Sequence, residues 1–401
     1  MPRKSKFNLL LCFFLSLFIL TGFACESQDK EQSTAEQEAS KEQEKQTKPE
    51  SYKVGAVLRL SKGASDGIPA RHGIEIAVDM INEQGGINGT PLEVLYYDSK
   101  DDATTAVNAV QKLISVHNVQ AIIGPMMSGN VLAAAPICEQ NEVVLLTPTG
   151  TSPKISQAGK YTFRLCSRID YQAKALVNEA LDQAEKEDPS VAIIYSNEPY
   201  GKGCKNLFMK YLEENGVEPM AVESFQRGDK DFQAQLTKIK SEDPDILFIP
   251  GYLQETAPLI SQARQMGLSG LSVGVFGDMA PQYIELAGEA AEGHLIAGEY
   301  NDDQDTEANQ EFVAAYDQKL QANPKASENI MFAALTYDAV NILEQALEDG
   351  NTKGPQIQEF LTNLQDYPGI TGDLSFDENG DVQKGGIYLF QVKNGEYQKI
   401  E

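Results

Sequence analysis

From residue 52 onward, short aliphatic and β-branched runs alternate with stretches of helical periodicity, and the alternation occurs twice. The runs 54–60, 92–98, 120–123 and 143–146 read as strands, with helices beginning near Pro69, Asp102 and Gly129 between them. A second series begins near Asp170, with strands at 191–195, 217–225, 246–249 and 272–275 and helices beginning near Tyr171, Gly201, Asp231 and Gln254. Strands this uniformly apolar are buried on both faces, so each series builds a parallel sheet covered by helices through right-handed crossovers. The expected class is therefore α/β, with two doubly wound lobes; a chain of 401 residues is also too long for one compact core. After residue 296 the pattern changes to helical segments at about 305–322, 328–349 and 355–365, then a strand pair around Phe376 and 387–392. These segments have to pack onto lobes already begun.

Ahead of this region, Arg3, Lys4 and Lys6 precede an apolar run from Leu9 to Leu20, and small residues follow before Cys25. This is the pattern of an export signal over 1–24. No later stretch approaches the roughly 18 apolar residues of a membrane-spanning helix. Gly22-Phe23-Ala24-Cys25 is similar to a bacterial lipobox, although Leu is usual where Gly22 stands. Lipidation at Cys25 would anchor the mature chain, each buried methylene contributing about 0.8 kcal/mol; the alternative is a plainly secreted, soluble form. Residues 25–51 read as a tether, since 26–50 hold two alanines but no larger aliphatic or aromatic residue and cannot bury enough surface to fold.

Without the three basic residues of the leader, 30 basic residues face 59 acidic ones, a net charge near −29. Nucleic acid and anionic head groups are poor partners for such a surface. Beyond Cys12 and Cys25 the chain has Cys138, Cys166 and Cys204, with no C-x-x-C spacing, which reads as buried thiols with at most one pair. His72, His117 and His294 lack metal-ligand spacing, so no metal or cofactor is expected.

Nine phrases recur in order along the chain: INEQGGING at 81–89, IIGP at 122–125, TP at 147–148, YG at 200–201, DF at 231–232, PD at 244–245, QAR at 262–264 with GL at 267–268, AGEAAEG at 287–293 and YDAV at 337–340. Through them the chain from about residue 53 resembles the type I periplasmic binding proteins of the leucine, isoleucine and valine class, which serve branched-chain amino acid ABC importers. The resemblance implies two lobes joined by three hinge crossings: 52–169 with 300–373, and 170–299 with 374–401. Ligand would lie in the cleft between them. It also implies no enzymatic activity, a permease as partner, and a monomer as the working form.

The binding residues follow from strand ends, where open parallel sheets bind ligands beside helix N-termini. Ser128 lies after the strand 120–123; alone it reads equally as a helix cap. The loop 147–151 alone reads as a polar turn. In the family the matching positions grip an α-carboxylate, so the resemblance implies the hydroxyl of Ser128, the backbone of Thr149, and both hydroxyl and N–H of Thr151. Asp170 matches a family ligand-binding acid, although its bare sequence context is that of a helix N-cap. Tyr252 matches a tyrosine facing the cleft, and Tyr200 either lines the second-lobe wall or packs at its loop base. Asp278 is the nearest candidate for a second acid, with a spacing to Ala287-Gly288 about two residues short.

One departure bears on specificity. Where branched-chain binders commonly carry an aromatic residue, this chain has Asp66, followed by Arg71. A more polar amino acid, or another small carboxylate or amide, fits these residues at least as well as an aliphatic one. Two other readings stand beside the transport one. The first is a sensor of the same fold. The second is a hydrolase using Ser65, since residues 63–67 match G-x-S-x-G, but no oxyanion loop precedes them and the nearest histidine is His72.

Overall fold

The computed structural model describes residues 49–62, 64–322, 329–383 and 387–400; the leader, Cys25 and nearly all of the tether lie outside them. In the first lobe, β1 (Tyr52–Leu58), β2 (Leu92–Asp98), β3 (Ala121–Ile123), β4 (Val144–Thr147) and β5 (Thr162–Arg164) form a parallel sheet in the order β2-β1-β3-β4-β5. Neighbouring residues on a strand point to opposite faces. Leu58, Ile123 and Leu146 pack with α1 (Ala64–Glu83), while Val57, Ile122 and Leu145 pack with α2 (Ala103–Ser115) and α3 (Ser128–Asn141). Two covered faces explain why these strands read as unbroken apolar runs.

In the second lobe, β6 (Val191–Ser196), β7 (Ala221–Phe225), β8 (Ile246–Phe248), β9 (Leu271–Val273) and β10 (Leu295–Gly298) are parallel in the order β7-β6-β8-β9-β10. Five helices belong to this lobe: α4 (Ile169–Gln183), α5 (Pro199–Glu214), α6 (Gln233–Lys240), α7 (Leu253–Gln265) and α8 (Pro281–Ala287). They bury Leu176 and Phe208 against one face of the sheet, and Leu236 and Leu259 against the other. The chain then returns to the first lobe as α9 (Glu307–Ala322), α10 (Ile330–Glu348) and α11 (Gly354–Asn363). Helices α1 and α10 pack backbone to backbone at Gly73, where a Cβ would stand 2.0 Å from the Ala333 carbonyl oxygen. Thr336 Oγ1 closes the same contact by donating to the Ala70 carbonyl at 2.7 Å.

Three departures from the sequence reading have local causes. Helix α1 starts at Ala64 instead of near Pro69, and the proline costs only the N–H that would have met the Ser65 carbonyl. Residues 217–220 do not join β7: Gly216 takes a positive φ and the Val217 N–H turns back to the Leu212 carbonyl, ending α5, while Pro219 has no N–H to give a ladder. The third departure concerns the C-terminal strands, because Phe376 and the segment 387–392 do not pair with each other. Phe376 ends β12 (Gly372–Phe376), which lies between β11 (Tyr367–Gly369) and β13 (Val382–Gln383). The strand β14 (Tyr388–Lys393) instead pairs antiparallel with β10 and with β15 (Glu396–Lys399). Leu374, Phe376 and Val382 are buried in the core of the first lobe, so 374–383 packs there and the third crossing falls after Gln383, not near residue 373.

The first two crossings are tied together by a buried carboxylate. Glu299, fully buried, accepts from the Ser167 N–H at 3.1 Å, the Ser167 hydroxyl at 3.0 Å and the Gln172 amide at 2.8 Å. Cys138, Cys166 and Cys204 are buried.

Candidate functional site

The carboxyl ends of β3 and β4 carry two loops that meet. Helix α3 begins after Met127 with no side-chain cap, so its first N–H groups are left open, and Ser128 is its first residue instead of its cap. The Ser128 hydroxyl accepts from the Ser152 N–H at 3.2 Å, which joins the loops and leaves its own proton to donate. The Thr149 hydroxyl donates to the Met126 carbonyl at 2.8 Å, leaving that residue's N–H for any ligand. Thr151 is buried at the base of the same loop.

This loop is held from below by a buried ion pair. Arg164 has no exposed surface; its Nε donates to Asp381 at 2.6 Å and its Nη1 to the carbonyls of Gly150 and Ser152 at 3.1 and 3.0 Å. Its Nη2 reaches the Ser156 hydroxyl at 2.7 Å. One guanidinium thus fixes both carbonyls flanking Thr151.

Ser128, Thr149 and Thr151 form part of the wall of a cavity completed from the second lobe by Tyr200, Tyr252, Phe276 and Gly277. Tyr200 and Tyr252 lie 5.0 Å apart between ring centroids, and the Tyr200 hydroxyl accepts from the Gly277 N–H at 3.3 Å. Burial pushes both phenols well above the ordinary tyrosine value, so they remain neutral hydroxyls. Phe276 crosses to the first lobe and meets Phe332 edge-on at 5.5 Å. The lobes also touch where Asn329 donates to the Met279 carbonyl, and where Arg227 approaches Asp101 at 3.5 Å.

Two of the acids that the resemblance implied do not face this cavity. Asp170 stands in the first turn of α4, gripped by Arg168 at 2.9 and 2.8 Å, and the cap position belongs to Arg168. Asp278 is fully buried, accepting from Thr256 Oγ1 at 2.5 Å with His294 Nε2 3.7 Å away. The cavity instead receives Phe276, two residues earlier. Arg71 is also elsewhere, paired with Glu75 at 2.7 Å and stacked over Tyr96. As for Ser65, its hydroxyl donates to Asp66 at 2.9 Å, while His72 packs edge-on to Tyr316, so the two do not form a nucleophile–base pair.

Asp66 does line the cavity, together with Arg59, which the sequence reading passed over. Arg59 donates to Asp66 and lies 3.3 Å from Asp101. The pair is close because Gly67 lies against the Arg59 backbone, where a Cβ would stand 2.0 Å from its carbonyl oxygen. An arginine ending an otherwise apolar strand at a sheet's carboxyl edge was the available signal.

A family model described as periplasmic binding protein matches residues 51–396. The leucine-, isoleucine-, valine-, threonine- and alanine-binding protein of Pseudomonas aeruginosa is 29% identical over 80% of this chain and 84% of its own length. A leucine-binding protein from Thermotoga maritima superimposes with a TM-score of 0.78 at 31% identity, over 87% of this chain and 97% of that one. A branched-chain amino acid transporter substrate-binding protein from Streptococcus pneumoniae, solved with isoleucine, gives 0.78 at 28% over 87% and 98%. These relatives are binding proteins and not enzymes, and family membership implies export to the periplasm. The chain belongs to the periplasmic binding protein family, with the type I fold and relatives of the leucine/isoleucine/valine class.

Proposed function

We propose that this protein is an extracytoplasmic solute-binding lipoprotein that captures an amino acid, or a similar small zwitterion, between its lobes and delivers it to an ABC importer. The observation that carries this is the cavity in which Ser128, Thr149 and Thr151 of one lobe face Tyr200 and Tyr252 of the other. Neutral hydroxyl and amide donors suit a carboxylate because they orient it through charge-assisted hydrogen bonds at little desolvation cost. Relatives named as amino-acid-binding proteins support the same reading. Acylation of Cys25, with 25–51 as tether, would keep the lobes near the membrane and free to turn; the mass of the intact membrane-bound protein reads the acyl chains directly.

A thermal-shift screen over the twenty L-amino acids tests the ligand class. A ligand that binds only the folded state raises Tm, by an amount equivalent to about 2.7 kcal/mol at a hundredfold excess over Kd. At least one amino acid is expected to do so. A flat response across the panel would remove amino acids as the solute.

A further inference from the structure

Given the zwitterion reading above, we propose that Asp66 receives the ligand's ammonium group, in place of Asp170 and Asp278, and so makes the site select solutes that carry a protonated amine beside their carboxylate. Among the described residues lining the cavity, Asp66 supplies the one carboxylate. The other acids near the cleft are committed elsewhere. Asp170 is held by Nε and Nη2 of Arg168, Asp278 is sealed beneath the wall with Thr256 and His294, and Glu198 accepts the Tyr200 and Gly201 N–H groups at the start of α5.

The charge around Asp66 also calls for a cation. Arg59 serves both Asp66 and Asp101; Arg227 stands 3.5 Å from Asp101 and 3.6 Å from Glu255. Two guanidinium groups therefore serve three carboxylates, and this connected set is one negative charge in excess. Arg59 is sealed, with 4% of its side chain exposed, whereas Asp66 keeps 17%, so the accessible member of the pair at the cavity wall is the acid. Burial raises the Asp66 carboxyl above its ordinary value even with Arg59 beside it, which marks a carboxylate still short of compensation. An ammonium placed there neutralises the set and replaces the water that closure removes. A purely aliphatic group placed there leaves Asp66 dry and under-compensated.

The test is calorimetric titration of the full chain in mild detergent with the best amino acid of the panel and with its 2-hydroxy acid, which keeps the carboxylate and side chain and replaces the ammonium by a hydroxyl. The wild-type protein is expected to prefer the amino acid by more than about tenfold, and Asp66→Asn to weaken amino-acid binding about 10- to 100-fold and so to remove the preference over the 2-hydroxy acid. Asp66→Glu, which keeps the charge, is expected to retain the preference. Equal wild-type affinity for the two compounds overturns the proposal without any variant, as does an Asp66→Asn protein that binds the amino acid like wild type. In either case a wild-type response to the amino acid leaves the zwitterion reading standing; absence of any amino-acid binding sinks that reading instead.

Discussion

In the proposed site, Thr151 is the residue on which a carboxylate grip would depend most. It is buried, it lies between the two carbonyls that Arg164 holds, and its hydroxyl and N–H are both of the type that a bound carboxylate accepts from. Thr151→Ala is expected to lower affinity for the best amino acid about ten- to hundredfold, the loss of a charge-assisted hydrogen bond of about 1.5–3 kcal/mol, with Tm in the absence of ligand little changed. Calorimetry showing unchanged affinity would remove Thr151 from the site. Strand ends, where open α/β sheets place ligands, narrowed the candidates, but the hydroxyl residues and tyrosines at the cavity were picked out by the family resemblance, since alone they read as a cap, a polar turn or loop packing. Asp66 was legible as a departure at the specificity position, but the placements of Asp170 and Asp278 were not. Whether a carboxylate faces a cavity or a neighbouring arginine depends on partners such as Arg168, His294 and Arg59, and pairing of that kind leaves no periodic trace.

At the scale of elements, the site is positioned by a strand end and a hairpin far apart in the chain: Arg164 closes β5, and Asp381 lies just before β13. Removing one partner of a buried ion pair leaves an uncompensated charge, so Asp381→Ala is expected to cost about 3–5 kcal/mol in stability, measured by denaturant unfolding. Amino-acid affinity should fall with it, because the carbonyls of Gly150 and Ser152 lose their anchored donor. Stability within about 1 kcal/mol of wild type would mean that the loop 147–152 holds itself in place. The long apolar strands were visible from composition alone. The three-residue β5, although buried, and the short, partly exposed β11 and β13 were not, because tertiary partners decide them more than local preference does. Asp338 shows this: it accepts the N–H groups of Ile370 and Thr371 at 3.0 and 2.9 Å, orienting the β11–β12 turn from a helix some thirty residues earlier.

For the whole molecule, Glu299 ties the first two crossings together, and three crossings between lobes would act as a hinge in the proposed role. The two-lobed plan was legible because the strand-helix series occurs twice. The last crossing was misplaced by about ten residues because a single buried stretch, 374–383, reads the same whichever core receives it. Phe276 on Phe332, Asn329 on the Met279 carbonyl and Arg227 near Asp101 all join the lobes, so this is a closed arrangement in which a solute would touch both walls. In the proposed role, ligand contacts made in full only when the cleft is shut would shift the population from open to closed, and a permease would recognise that change of shape. Small-angle scattering with and without saturating amino acid reads it directly. The radius of gyration is expected to fall on binding; an unchanged radius, with binding established by calorimetry in the same sample, would contradict closure as the step that couples capture to delivery.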